Sequence, residues 1–252
     1  MLTCVTRSMN DELYEMMLSL CPQEWNFIKV KGASATGYLE YIFETDFGTK
    51  WVLNLDEDCF LIDSDLINSL ISFMENHDYD YCGIQDGGSI PVRIHNPLVS
   101  NPFFNLFNSE KINRLEKNYY DRPNDMKELV RLYSSFVRFT GSKYEYDMYE
   151  PFYNHFFWLL ERGMRPLFLE AKEFRKERYF VIAPIARIVP YFNCPTMLCS
   201  HDGGELAIHT WHSRFYNYPN IRKHIRNCYE YALKNNKFNK KEVKTVNLAG
   251  KK

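Results

Sequence analysis

The chain has 252 residues, 45% of them hydrophobic and 25% charged, with 31 Lys+Arg set against 32 Asp+Glu. These proportions exclude a disordered chain and suit one large globular domain or two small ones. The net charge of −1 argues against a duplex nucleic-acid binder, which needs a basic surplus to displace counterions from phosphate. Aromatic residues are the outlier at 16%; Tyr and Trp rings suit sugar faces as well as cores. Seven cysteines with no C-x-x-C point to buried thiols in a reducing compartment. The N-terminus is too poor in apolar residues for a signal peptide. The longest apolar stretch, Tyr179 to Phe192, holds Arg187 and two prolines. A cytoplasmic chain is expected, one that at most visits a membrane surface.

Taken in chain order, Leu2–Thr6 reads as a short buried strand. Leu13, Met16, Met17 and Leu20 then recur at helical spacing, with Ser8 or Asn10 as cap and Pro22 as stop. Trp25–Val30, ended by Gly32, is a second strand, and Ala35, Leu39, Ile42 and Phe43 mark a second helix closed by Gly48. Trp51–Leu55 is a third strand. Asp63-Ser64-Asp65 caps a helix carrying Leu66, Ile67, Leu70, Ile71 and Met74, and Tyr79–Ile84 is a further strand. Such alternation with short connections implies right-handed crossovers and a mainly parallel sheet covered on both faces. Ligands of such sheets sit beyond the carboxyl ends of the strands.

The alternation stops at Gln85–Pro102, a long Gly/Pro/Asn/Ser-rich loop of a length that usually serves function. Helices are predicted over Phe103–Lys117 and Met126–Phe139. An acidic, Tyr-rich loop, Gly141–Glu150, leads into a helix ending at Gly163 and a strand at Arg165–Leu169. Residues 170–218 read as irregular, with short aromatic-rich strands. Pro219 opens a last helix with Ile221, Ile225, Cys228, Tyr229 and Ala232 on one stripe. From Lys234 onward seven lysines and one glutamate predict a frayed basic tail, for which contact with an anionic membrane surface is one use.

Asp56-Glu57-Asp58 closes the apolar strand Trp51–Leu55. Alternation points Asp56 and Asp58 one way and Glu57 the other. Two convergent carboxylates suit Mg²⁺ or Mn²⁺ and leave coordination positions for diphosphate oxygens. The plainer alternative is an acidic turn capping the next helix. In His209-Thr-Trp-His212 an imidazole can complete a Mn²⁺ shell that already holds carboxylates. A zinc set of Cys194, Cys199, His201 and His209 is a rival, with spacings irregular for structural zinc sites. Glu145, Asp147 and Glu150 precede a helix whose dipole keeps a carboxylate ionised, as a general base near neutral pH requires. Glu150-Pro151 is equally an ordinary helix start. Within the long loop, Gln85-Asp86-Gly87-Gly88 and Arg93-Ile-His95 mix polar groups with glycines that admit a ligand to the backbone, and Arg93 suits a diphosphate or carboxylate. The sequence has no P-loop, no dinucleotide fingerprint, no G-x-S-x-G and no H-E-x-x-H.

The order of these features, an alternating half of about 85 residues closed by Trp51-Val-Leu-Asn-Leu-Asp-Glu-Asp58, resembles the nucleotide-sugar half of GT-A-fold glycosyltransferases, especially family 2. Tyr149-Glu150 through Leu169 looks like that family's block of acid, helix, glycine and strand. Ala207–Arg214 looks like its C-terminal histidine segment, and Gly32-Ala-Ser-Ala35 loosely matches a turn after the second strand. The resemblance covers about residues 1–215. It implies an α/β chain with a Rossmann-type, mainly parallel mixed sheet flanked by helices in a single fused domain. Residues 1–85 would bind the nucleotide sugar, 86–218 the acceptor, and 219–252 form a helix and tail. The implied activity is metal-dependent transfer of a hexose from a nucleotide-diphosphate sugar to a glycan or lipid-linked saccharide in polysaccharide biosynthesis, with inversion and no nucleic-acid partner.

By the same resemblance Mn²⁺ or Mg²⁺ would sit on Asp56, Asp58 and His209 or His212. The donor would meet Thr6, Arg7, Lys31, Asp56 and Glu57. Glu150, with Asp147 second, would be the base, and the acceptor would meet Asp86, Arg93 and Trp211, with Tyr144 and Tyr146 nearby. One departure bears on the nucleotide: where the family often carries an acid after the second strand, this chain has Lys29-Val-Lys31-Gly32. Two other classes fit the triplet. A haloacid-dehalogenase-type phosphatase also uses D-x-D after a strand, though on an early strand, whereas here it follows the third. A glycan-binding module could hold a structural cation there.

Overall fold

Alternating strands and amphipathic helices bury both faces of one sheet, because neighbouring strand residues point to opposite sides. The computed structural model describes residues 2–89, 96–119, 125–137, 150–174, 179–180, 192–211, 213–236 and 244–247. The first half runs β1 (Thr3–Ser8), α1 (Asp11–Leu18), β2 (Asn26–Lys31), α2 (Ala35–Glu44), β3 (Trp51–Leu55), β4 (Cys59–Leu61), α3 (Asp65–Asn76) and β5 (Tyr81–Gln85). Asn10 is the cap that starts α1, its side-chain oxygen accepting from the Glu12 and Leu13 amides at 3.0 and 3.2 Å, while Ser8 completes β1. Then follow β6 (Ser100–Asn108), α4 (Ser109–Asn113), α5 (Met126–Tyr133), a 3-10 turn at Ser134–Phe136, and α6 (Tyr153–Glu161). The remainder is β7 (Pro166–Phe168), β8 (Ala171–Glu173), β9 (Tyr179–Phe180), β10 (Phe192–Asn193), β11 (Thr196–Cys199), β12 (Glu205–His209), α7 (Pro219–Lys234) and β13 (Lys244–Asn247).

The central sheet has the order β13-β2-β1-β3-β6-β5-β7. All its pairs are parallel except those of β6, which runs antiparallel to β3 and β5. It is a mixed α/β fold with a mainly parallel sheet flanked by helices. Cys4 and Leu53 point into one core with residues of α1, α3 and α7, while Val5 and Val52 point into the other with α2, α5 and α6. A second, antiparallel sheet of order β4-β12-β11-β8 shares the first core through Phe60, Leu198 and Ile208. Among the described residues no helix is long and apolar enough to cross a membrane. Cys4, Cys21, Cys59, Cys82 and Cys199 are buried thiols, and burial pushes Cys4 and Cys82 up to about 12.

The expected helix over Phe103–Lys117 is corrected: residues 100–108 form the antiparallel strand β6, and only Ser109–Asn113 is helical. Phe103, Phe104, Leu106 and Phe107 are all buried. A strand buried on both faces reads as a continuous apolar run and loses its period-two signature. The second expected helix is shorter than Met126–Phe139, ending at Tyr133 before the 3-10 turn. The expected frayed tail is also corrected in part, since Lys244–Asn247 pairs in parallel with β2 as the edge strand. Residues 237–243 and 248–252, which carry most of the lysines expected to meet a membrane, lie outside the described residues.

α6 carries a buried histidine with a consequence for stability. His155 is 1% exposed, its ring 4.7 Å from that of Tyr119 and 6.0 Å from that of Phe43. Burial lowers its pKa from 6.5 to about 4, so it is neutral in the fold. The unfolded chain takes up this proton first as pH falls, so stability is lost from about pH 6.5 downward and the loss is complete below about pH 4. The size is about 3 kcal/mol. Urea unfolding across this range should show wild type losing that much relative to His155→Phe. Parallel losses in the two proteins would remove His155 as the group responsible.

Candidate functional site

The site forms where β3 ends and the chain turns back. The Asp56 amide donates to the Phe103 carbonyl at 2.8 Å, and the Cys59 amide donates to the Asp56 carbonyl at 3.0 Å, which reverses the chain into β4. β4 pairs antiparallel with β12, with Cys59 opposite His209. That register delivers the histidine strand to the acidic triplet. The Thr210 amide reaches the Asp58 carbonyl at 3.1 Å, and the Thr210 hydroxyl donates to Asp58 Oδ2 at 3.2 Å. His209 Nε2 stands 3.2 Å from Asp58 Oδ1. One ligand atom from each of Asp56, Asp58 and His209 lies within 4.8 Å of the others, the spacing of a divalent-cation site.

The electrostatics match that chemistry. Scarce hydration and the neighbouring Asp58 raise Asp56 to about 6, against the pull of Arg7 and His209. Burial would raise Asp58 as well, but the His209 and Thr210 contacts outweigh it and hold its carboxyl below the usual value. Two carboxylates this close repel one another unless a cation answers them. Two carboxylates and an imidazole are donors that Mn²⁺ accepts readily, and Mg²⁺ accepts the carboxylates. The residues therefore fit such an ion, and the buried His209 Nδ1 has no hydrogen-bond partner among the described residues, so a ring nitrogen is left for a ligand.

Aromatic rings set the imidazole plane. His209 lies 3.8 Å from Phe103, nearly parallel at 8°, with the Trp211 ring edge-on at 4.4 Å. Trp211, at φ +59°, donates its indole N–H to Thr196 Oγ1 at 2.9 Å, and Ser89 Oγ lies 2.9 Å from the same oxygen. Gly88 makes room for this arrangement: a Cβ there would lie 2.8 Å from the Trp211 ring. The glycine therefore admits an indole rather than a ligand, and Trp211, 4% exposed, is wedged in the wall.

A cavity of about 420 Å³ opens over this cluster at the carboxyl ends of β1 and β3. Of the residues expected from sequence it brings together Arg7, Asp56, Asp58, His209, Asp86, Glu150 and Trp211. Asp86 is held there by Asn101, whose amide donates to it at 2.9 Å, and by the Tyr153 hydroxyl. Arg214, Asn101 and Phe103 also line it, and sequence reasoning did not single them out. Arg214 stood within the quoted histidine segment, whereas Phe103 was hidden by the helix expected there.

Thr6, Lys31 and Glu57 do not line the cavity. Thr6 is buried in β1. Lys31, 39% exposed, pairs with Asp11 at 2.7 Å, as Lys29 does at 2.6 Å, so both lysines of the departing segment already have a carboxylate. That pairing holds Asp11 down at about 2. Glu57 faces away from the cavity, its Oε2 accepting from the Met9 and Asn10 amides, each at 2.9 Å. Asp147, His212, Arg93, Tyr144 and Tyr146 lie outside the described residues. The rival zinc set is not assembled among the described residues, where His201 instead stacks on Phe73 at 4.3 Å.

The molecule is thus a mixed α/β protein with a carboxylate and imidazole cluster at the carboxyl ends of its parallel strands. No protein-family model matches the sequence, and no curated protein matches it. Solved structures with which it overlays include A197 from STIV, at 12% identity and a TM-score of 0.35, over 48% of this chain and 71% of that one. A mannosyltransferase from Pyrobaculum calidifontis in complex with GDP-Man and Mn²⁺ overlays at 10% identity and a TM-score of 0.34, over 67% of this chain and 54% of that one. S. aureus TarS, residues 1–349, overlays at 11% identity and a TM-score of 0.32, over 63% of this chain and 55% of that one. The chain thus spans little more than half the length of the last two. The likeness includes glycosyltransferases, but at these TM-scores the functional reading rests on the site itself.

Proposed function

We propose that this chain is a metal-dependent glycosyltransferase that moves a sugar from a nucleotide-diphosphate sugar to a hydroxyl of a saccharide or lipid-linked saccharide, with inversion. The observation that carries the reading is the convergence, in one cavity, of the Asp56, Asp58 and His209 cluster with a separate carboxylate, Glu150, and two guanidinium side chains, Arg7 and Arg214. Asp56, Asp58 and His209 would hold Mn²⁺ or Mg²⁺. Such an ion offsets the charge that grows on a departing diphosphate. Arg7 and Arg214 share that cavity and suit phosphate oxygens through their planar forks. Glu150 is the proposed base, taking the proton of the acceptor hydroxyl, with Asp86 orienting the acceptor by hydrogen bonds. A carboxylate base set apart from the ion suits direct displacement at the anomeric carbon and hence inversion.

Thermal shift with UDP-, GDP- and dTDP-sugars, with and without Mn²⁺, tests the donor class. Stabilisation that needs both nucleotide and ion is expected. Release of phosphate from phosphomonoesters with no response to any nucleotide sugar would favour a phosphatase instead. Glu150→Gln should bind donor and Mn²⁺ as wild type does while hydrolysis or transfer falls about 10²-fold or more, the scale of general-base removal. Full activity in that variant would remove Glu150 as the base.

A further inference from the structure

Glu57, the middle residue of the acidic triplet, is the one member that does not face the cavity, yet it is 2% exposed and its hydrogen bonds are spent on another loop. A single carboxylate oxygen accepts from two consecutive backbone amides, Met9 and Asn10, 48 and 47 residues away in sequence. These amides belong to the turn between β1 and α1. Arg7 and Met9, on either side of the end of β1, line the same cavity as Asp56 and Asp58, and Asn10 is the cap of α1. The turn that carries the two candidate metal ligands is therefore tied through Glu57 to the residues that follow the neighbouring strand β1, where Arg7 and Met9 line the same cavity. Two backbone amides converging on one carboxyl oxygen tie a loop more firmly than a single hydrogen bond does. Met9 shows why the loop needs one. Its side chain is 76% exposed, so apolar burial does not hold it in place.

We infer that Glu57 is a positioning residue for the nucleotide donor: by clamping Met9 and Asn10, directly after the end of β1, it fixes the cavity lining that Met9 and the adjoining Arg7 provide beside Asp56 and Asp58, where a nucleoside diphosphate would bind. The inference rests on the nucleotide-sugar reading of the cavity. It assigns Glu57 no contact with donor, acceptor or ion. The clamp depends on reach more than on charge. Glutamine keeps an acceptor oxygen at the same distance from the backbone, whereas aspartate keeps the charge but is one methylene too short.

Three variants, Glu57→Gln, Glu57→Asp and Glu57→Ala, separate these requirements. The probes are Mn²⁺ alone, then GDP or UDP in the presence of Mn²⁺, followed by calorimetry. Glu57→Gln should bind the nucleotide within about threefold of wild type, and Glu57→Asp and Glu57→Ala about tenfold or more weakly, while the affinity for Mn²⁺ alone moves less than threefold in all three. Hydrogen exchange at the Met9 and Asn10 amides should quicken in the Asp and Ala variants and not in the Gln variant. The assignment is overturned if Glu57→Asp binds as wild type and Glu57→Gln does not, since charge is then what matters. Equal loss of ion and nucleotide affinity overturns it as well, as does unaltered nucleotide affinity in Glu57→Ala. If Glu57→Ala does not fold, the contrast between the Gln and Asp variants decides alone. Wild-type protein that binds neither nucleotide, with the two amides still protected, overturns the nucleotide-sugar reading and with it the donor role of the clamp; the exchange data tell that failure from an absent clamp.

Discussion

Replacing Asp58 by asparagine is expected to abolish the stabilisation by Mn²⁺ that the proposed metal site requires and to lower the proposed sugar transfer by at least about 10²-fold. The cause is local. Asp58 is 1% exposed, sits 3.2 Å from His209 Nε2, and is held below the ordinary carboxylate range, so it is ionised and ready to bind a cation. Asparagine preserves the acceptor for the Thr210 hydroxyl, which donates to Asp58 at 3.2 Å, but removes the charge. The metal-free fold should therefore hold within about 1–2 kcal/mol. In wild type, Mn²⁺ at about 100 times its dissociation constant adds about 2.7 kcal/mol, roughly 5–10 °C in Tm for a chain of this size. Melting curves with and without Mn²⁺ measure the difference directly. An Asp58→Asn protein that keeps both the Mn²⁺ shift and the activity would sink the proposed metal site.

Gly83→Ala should be the most damaging small change to the fold. Gly83 lies in β5 facing a buried polar chain that crosses the sheet beneath the site. Tyr38 donates to Asn54 at 2.7 Å, Asn54 donates to Asn105 at 2.9 Å and to the Pro102 carbonyl at 2.6 Å, and Asn105 donates to Ser100 at 2.7 Å. Ser100 in turn donates to the Ile84 carbonyl at 3.1 Å. A Cβ on Gly83 would lie 2.0 Å from Ser100 Oγ, 2.4 Å from Asn105 Nδ2 and 2.9 Å from the Phe104 carbonyl oxygen. The first two neighbours can move only by breaking the chain of hydrogen bonds, and the third is backbone. Overpacking combined with buried donors left unmatched costs about 3 kcal/mol or more, roughly 6–12 °C in Tm. Because Pro102 and Phe103 border the cavity, Mn²⁺ affinity should weaken too. A double-mutant cycle with Ser100→Ala should be strongly non-additive, since both changes act on the same crowded oxygen. A Tm within a degree of wild type would mean that β5 and β6 can separate without penalty.

Local chemistry was legible where it depends on neighbours in the chain. The spacing of Leu13 and Met17, the cap at Asn10 and the proline at position 219 carry their helices whatever surrounds them. Asp56 and Asp58 line the cavity and Glu57 does not, as alternation predicts, but the physical reason is the turn after β3, closed by the Cys59 amide on the Asp56 carbonyl, and not an extended chain. β6 was not legible. Phe103, Phe104, Leu106 and Phe107 are buried on both faces between β3 and β5, so the pattern that marks a half-exposed strand is absent. β4 was missed because three residues, Cys59–Leu61, are too few to show a period.

The sequence by itself determined the alternating first half, the mainly parallel sheet and the acidic triplet at the end of its third strand, because each follows from periodicity and from the direction of an extended chain. Only the tertiary structure showed that His209 stands beside that triplet and that Glu57 bonds to the turn after β1. His209 reaches Asp58 through the pairing of β12 with β4, and Glu57 reaches Met9 and Asn10 because β1 and β3 are neighbours in the sheet. Strand pairing joins residues far apart in the chain, and its register is set by packing across the whole sheet, which no local pattern records.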